Sequence, residues 1–341
     1  MKAAVFKGKG SLAIEEMPAP VAGPGKVVIR VTYCGICGSD VRLFSEGFFP
    51  TGLVIGHEFC GTIHEIGPTV EGWSVGDRVT VMPSVKCGEC RFCQSGEWHH
   101  CVDLKFLGVN EGMPGAFAEY VTTNASMLHH LPDEVTDEEA ANIEPCAVSL
   151  RAVNRSGIRV GDSVVIFGAG SIGLFVLQIA RLAGASTIYV VEPAPSRSQA
   201  ASILGADEVF DPSSTNIPGE IANLTGGGAD VAFMCSAAPS VLQQAVDTVK
   251  CQGKVIVVGA GLSANVIPEF WMWKEIEVKG SFAYLDEFPL ALDLFKQGKI
   301  KVEGMISDVI PLEKVQQALQ DLAQPTSQIK VLVQPNQKPG L

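Results

Sequence analysis

Nowhere in the 341 residues do about 18 apolar side chains run uninterrupted, so no membrane-spanning helix is expected. Residues 1–10 carry lysines with no apolar stretch behind them, and no export signal is expected. Basic residues are scarce: 25 Lys and Arg stand against 37 Asp and Glu, a net charge of -12. Nucleic acid is held by clustered cations that release counterions from the phosphates, so it is not an expected partner. Internal repeats and low-complexity tracts are missing too. What remains is a soluble chain, expected in the cytoplasm, whose 47% hydrophobic residues can supply two domains. Ten cysteines break the plainness, and four crowd between positions 87 and 101. In a chain without an export signal such crowding reads as metal ligation before disulfide pairing.

The chain changes character along its length. Residues 1–147 show short β-rich runs, such as 27–32 and 78–82, punctuated by glycine and proline, which predicts an irregular, mostly β domain. From Ser163 onward an apolar run at 164–167, a glycine turn and helical apolar spacing at 174–183 make a β-turn-α unit. Further buried-strand candidates recur at 187–191, 231–234, 255–258 and 276–278. Such alternation predicts an α/β fold with a doubly wound parallel sheet of Rossmann type. The tail adds helical segments at 289–296 and 312–322 and a strand at 329–333, and is expected to return to the first domain.

Gly168-Ala169-Gly170-Ser171-Ile172-Gly173 fits the dinucleotide turn in the context the motif requires, after a strand and before a helix. Gly168 permits the tight turn, Gly170 lets backbone approach a pyrophosphate, and Gly173 allows close helix packing. Ser171 and Ile172 open a helix whose free N–H groups face the anion. Glu192 closes the next strand, roughly 20 residues on, where a carboxylate accepts hydrogen bonds from the adenosine ribose and repels a 2'-phosphate. NAD is therefore expected over NADP, although Arg197 nearby can stack on adenine or assist a phosphate. The bland alternative is a glycine turn that merely packs.

Cys87, Cys90, Cys93 and Cys101 form C-x2-C-x2-C-x7-C in a Gly-containing excursion with little apolar content. Four thiolates close a tetrahedral zinc site without an open position, which makes the ion structural. A nucleic-acid-reading zinc ribbon is disfavoured by the acidic total and by the few nearby cations, Lys86, Arg91 and Lys105. Cys37-Gly38-Ser39-Asp40 and Gly56-His57-Glu58 bring a thiol, a hydroxyl, an imidazole and two carboxylates into one domain. Alone, Cys37 reads as a small buried hydrophobe and His57 as a satisfied core histidine.

With Val75-Gly76-Asp77-Arg78-Val79, Gly115-Ala116-Phe117-Ala118-Glu119-Tyr120 and Glu144-Pro145 added to these motifs, the sequence resembles the zinc-containing medium-chain dehydrogenases over essentially its whole length. Within them it is nearest the sorbitol, butanediol and threonine dehydrogenase branch. The resemblance implies a mostly β, GroES-like catalytic domain at 1–148 with a zinc lobe at 84–102, a Rossmann NAD-binding domain at 149–285, and a return to the catalytic domain at 286–341. It implies two zinc ions per chain, a small-molecule alcohol or polyol as partner, and a homo-oligomer, dimer or tetramer. Cys37 and His57 would ligate the catalytic zinc, with Glu144 at the third protein position and Glu58 beside the metal, bound directly or through water. Some relatives carry cysteine where Glu144 stands, and the polyol branch carries glutamate. Cys146 reads as packing.

The reaction so implied is hydride transfer from a secondary alcohol or polyol to NAD, giving the ketone or aldehyde. Zinc acts as Lewis acid on the alcohol oxygen. Ser39 occupies the proton-relay position, and Asp40 orients the site. Many relatives place a histidine three residues after that serine; here Arg42 stands instead, and it either contacts an anion or forms a salt bridge. A threonine-type or phosphorylated-polyol activity, and a catalytically silent zinc- and dinucleotide-binding protein, are the alternatives. A silent protein would lack a ligand and a zinc-free reductase would lack Cys37 and the cysteine lobe, yet all are present. Phe48, Phe49, Trp271, Trp273, Phe282 and Tyr284 line a pocket or belong to the core.

Overall fold

The computed structural model describes residues 1–259, 263–324 and 326–336. The chain divides into two compact units, Met1–Glu144 with Phe288–Val302 and Ile306–Leu341, and Pro145–Glu287 with Glu303–Met305. In the first unit a mixed sheet runs in the order Ile306–Ile310, Lys330–Val333, Lys26–Gly35, Glu58–Ile66, Arg78–Val81, Leu128–His130, with Tyr120–Asn124 also on Lys26–Gly35. Along Lys26–Gly35, Val27, Val28, Ile29 and Val31 are buried while Arg30 is exposed, so the strand is covered on both faces over part of its length. The core joins Val27, Ile29 and Val31 to Phe6, Phe44, Phe59 and Phe117.

The register of this sheet brings chemistry together. Gly35 pairs with Glu58 on one side and with Leu332 on the other. The chain then leaves the sheet at Ile36 and enters the Gly38–Glu46 helix, for which Cys37 is the N-cap.

In the second unit six parallel strands run in the order Glu208–Phe210, Thr187–Val191, Ser163–Phe167, Ala229–Met234, Val249–Val257, Glu277–Gly280. Numbered along the chain this is the order 3-2-1-4-5-6, the doubly wound arrangement whose direction of growth reverses between the first and fourth strands. Ligands settle outside the carboxyl ends of the strands at that reversal. The sequence pattern named five of these strands and missed Glu208–Phe210, which is three residues long and buries only Phe210. The 312–322 segment is helical but begins as a 3-10 turn, Leu312–Lys314, before the α-helix Val315–Leu322. No helix among the described residues is long and apolar enough to cross a membrane.

Candidate active site and cysteine lobe

The glycine turn sits at the carboxyl end of Ser163–Phe167, at the sheet reversal. Gly168 has φ +102°, a conformation that suits glycine. A Cβ on Gly173 would lie 1.9 Å from the Gly168 carbonyl oxygen, so the Ser171–Leu182 helix is seated directly on the turn. A Cβ on Gly170, by contrast, would meet nothing within 4 Å. The fold does not need glycine there, whereas a close-lying pyrophosphate does. Glu192 is buried, and its carboxylate oxygens accept the N–H groups of Ala169 at 2.8 Å and Ala194 at 3.0 Å. It thus ties the turn to the end of the second strand. Arg197 stands half-buried in the following Pro195–Ile203 helix.

Cys87, Cys90, Cys93 and Cys101 lie on a small lobe between the strands Ser84–Val85 and Lys105–Phe106. Their sulfurs stand 3.4 Å (Cys101 to Cys87), 3.6 Å (Cys90 to Cys93) and 3.9 Å (Cys87 to Cys93) apart. Disulfide sulfurs are about 2.05 Å apart. The edges of a tetrahedron with Zn–S bonds of about 2.3 Å are roughly 3.8 Å, which these spacings match. Backbone N–H groups of Cys87 and Cys90 point at the sulfurs of Cys101 and Cys87. Hydrogen bonding from the backbone of Cys93 and Val102 draws the Cys90 thiol down to about 6, whereas desolvation pushes Cys93 up to about 12. The lobe thus favours a thiolate at Cys90 and opposes one at Cys93, a charge that a bound dication would stabilise.

The second cluster is assembled from separate places. Cys37, His57 and Glu58 each bring a ligand atom within 4.8 Å of the others. Cys37 sits at the helix N-terminus, its sulfur accepting the Ser39 N–H at 3.5 Å. Asp40 closes the capping box by accepting the Cys37 N–H at 3.0 Å, and its other oxygen lies 3.3 Å from His57 Nδ1. Burial alone would lower the His57 pKa, but the Asp40 carboxylate and the Cys37 sulfur reverse this and hold it well above the ordinary histidine value. His57 follows Gly56, φ +97°, whose carbonyl oxygen lies 2.4 Å and 2.3 Å from where Cβ atoms on Gly108 and Gly115 would be. Three backbones therefore stack without side chains between them.

A soft thiolate, an imidazole and a carboxylate are zinc ligands by type, and three protein donors are the number an open zinc site uses. The cluster fits the ion. Glu144 is not among the clustered groups: it lies buried in the first turn of the Ile143–Ser156 helix, near enough to add to the field on Lys330.

Residues 23–133 match the alcohol dehydrogenase GroES-like domain and residues 171–297 the zinc-binding dehydrogenase family. (R,R)-butanediol dehydrogenase of Bacillus subtilis is 38% identical, over 98% of this chain and 100% of that protein. The chain belongs to the zinc-type alcohol dehydrogenase family. Sorbitol dehydrogenase of the same organism is 34% identical over 98% of both chains. The crystal structure of 2R,3R-butanediol dehydrogenase from Bacillus subtilis superposes with a TM-score of 0.91, covering 98% of this chain and 99% of that one.

As a zinc-type alcohol dehydrogenase the chain is an oxidoreductase; the remaining candidate residues lie in different settings. Ser39 lies exposed in the first turn of the Gly38–Glu46 helix. Arg42, one turn on, has its Nε 4.0 Å from the carboxylate of Glu46. Of the aromatic candidates, Tyr284 and Phe49 are core residues, Trp271 packs against the core of the second unit, and Phe48, Trp273 and Phe282 are exposed. Cys146 is fully buried, and burial raises its thiol well beyond the ordinary range. Sequence reasoning passed over Lys330, which is 1% exposed and donates to Glu58 Oε2 at 2.6 Å. A lysine opening the otherwise apolar strand Lys330–Val333 was the available signal.

Proposed function

We propose that this dehydrogenase oxidises a secondary alcohol of a diol or polyol to the ketone, with NAD+ receiving the hydride. The observation that carries the reading is the convergence of Cys37, His57 and Glu58, two of them buried, in a family of alcohol oxidoreductases. Cys37, His57 and Glu58 hold a zinc ion, with Glu144 as a further carboxylate close by. Such an ion supplies Lewis acidity that brings an alcohol hydroxyl pKa toward neutrality. Asp40 fixes the His57 ring, and Ser39 accepts the alcohol proton and passes it to the cofactor ribose or to water. Gly168, Gly170, Ser171, Ile172 and Gly173 cradle the pyrophosphate. Glu192 holds the adenosine ribose and disfavours a 2'-phosphate, with Arg197 beside the adenine. Cys87, Cys90, Cys93 and Cys101 hold a second, structural zinc.

The butanediol and sorbitol specificities of the two relatives support a vicinal diol or sugar alcohol as substrate. A reducing cytoplasm suits ten cysteines that are all free. A homo-oligomer, dimer or tetramer, is supported by the edge strand Glu277–Gly280 and by exposed Ile267, Met272 and Trp273. The test is NADH formation across diols, sugar alcohols, hydroxy-amino acids and phosphorylated polyols, alongside metal counting and light scattering. Oxidation of neutral diols or polyols is expected, abolished by chelation. No oxidation by a preparation holding two zinc ions would overturn the reading.

A further inference from the structure

A charged lysine in a protein interior needs a reason. Lys330 and Glu58 are each 1% exposed, and the ammonium makes two contacts: Glu58 Oε2 at 2.6 Å and the carbonyl oxygen of Ile36 at 3.2 Å. Those acceptors belong to the two segments that carry the clustered ligands. Glu58 follows His57 directly, and Ile36 precedes Cys37. The strand of Lys330 grips the second segment again through the Ile36 N–H, which donates to the Val331 carbonyl at 2.9 Å.

The sheet register explains how the lysine reaches. Gly35 is paired with Glu58 on one side and Leu332 on the other. Lys330, two residues before Leu332, projects to the same face. Only a residue without a side chain leaves the passage open, because a Cβ on Gly35 would lie 2.4 Å from Glu58 Oε2. Gly35 and Lys330 form one device, a gap and the cation that crosses it.

We infer that Lys330 is a positioning residue that fixes Glu58 and the Cys37 segment in register with each other, so that the metal-binding cluster is pre-formed before an ion arrives. The inference rests on the proposed metal site and adds a residue outside its ligand set. A cluster assembled from separate segments otherwise loses affinity to the ordering of those segments when the ion binds, and partners outside the ligand shell are worth about 10–100-fold in metal affinity. The charge is integral to the device. A carboxylate in the interior is costly without a cation, and the Lys330 ammonium stands 2.6 Å from Glu58 Oε2.

The test measures zinc affinity by competition with a chromophoric chelator for wild type, Lys330→Met, Glu58→Gln and the double variant. The ion on the four-cysteine lobe is counted in each as the control for folding. Lys330→Met is expected to weaken the second ion about 10–100-fold with the lobe ion retained. The double variant is expected to bind no more weakly than the worse single one, because the pair acts as a unit. Lys330→Arg, which keeps the charge, should recover part of the loss. The cobalt-substituted protein should show an altered visible spectrum in Lys330→Met. Should Lys330→Met fail to fold, Lys330→Gln, which keeps a donor for Ile36 but not the charge, takes its place under the same criteria. Unchanged affinity in the folded neutral variant, or losses that multiply in the double variant, would overturn the inference. A wild type that binds only the lobe ion would instead overturn the metal reading of the cluster.

Discussion

The cysteine lobe and the Cys37–His57–Glu58 cluster are two answers to the problem of placing ligands. The lobe draws four identical donors from fifteen consecutive positions, 87 to 101, and three of the four are only partly buried. The segment contributes only two-residue strands and one-turn helices, so a bound ion would supply order that these elements do not. The cluster draws three different donors from two segments, brings His57 and Glu58 under cover, and surrounds them with Asp40, Lys330 and Gly35. A closed site can leave its geometry to the metal, whereas an open site that must keep a position for substrate has its geometry imposed by the protein.

Substitutions should separate the two regions by what they lose. Cys37→Ala should reduce kcat/KM by at least about a thousandfold, since Lewis-acid assistance is worth several kcal/mol and each ~1.4 kcal/mol is tenfold. Metal analysis should then find the lobe ion alone. Ser39→Ala should lower kcat by about a hundredfold or more while zinc content and NAD affinity stay as in wild type, and unchanged turnover would remove Ser39 from the relay. Cys93→Ser should act on the other axis. Its thermal midpoint should fall by about 5–10 °C, with activity at low temperature within about threefold of wild type. Parallel loss of stability and activity would break the contrast.

Smaller effects sharpen the picture of each support. Glu192→Ser should raise the ratio of NADP to NAD efficiency by about 10–100-fold, the range set by charged hydrogen bonds of roughly 1.5–3 kcal/mol. It should also raise the KM for NAD, because Ala169 and Ala194 lose their acceptor. A wild type that already prefers NADP would refute the assignment. Arg42→Ala should alter kcat/KM on neutral diols by less than about threefold, as expected for a partly exposed pair one helical turn apart. A loss confined to phosphorylated or carboxylated alcohols would make Arg42 a substrate contact.

What could be read from the sequence follows the same division. The lobe and the glycine turn are local, so the spacing of Cys87 to Cys101 and of Gly168 to Gly173 carries nearly the whole geometry. Five of the six parallel strands announce themselves as apolar runs, and Glu208–Phe210 is too short to do so. The ligand types at 37, 57 and 58 are visible in their motifs, yet the choice between Glu58 and Glu144 depends on where a helix start and a strand start fall in space. Lys330 lies 272 residues from Glu58, and nothing local couples them. Gly35 reads as an ordinary strand end until its two neighbours in the sheet are known.

The stacked backbones of Gly56, Gly108 and Gly115 set a limit on how this enzyme can be remodelled. A side chain at Gly108 or Gly115 would have to occupy space already filled by the Gly56 carbonyl, and one at Gly56 would meet the Phe117 ring at 2.7 Å. No rotamer relieves the backbone collisions at Gly108 and Gly115, and Gly56, at φ +97°, sits in backbone space that side chains rarely adopt besides facing the ring, so the response to mutation there has no graded regime. A saturation library around His57 should therefore return glycine at all three positions, although none of them carries a functional group. Variants with a shifted surface shape should come instead from exposed side chains such as Phe48, where a new shape meets solvent before it meets the fold.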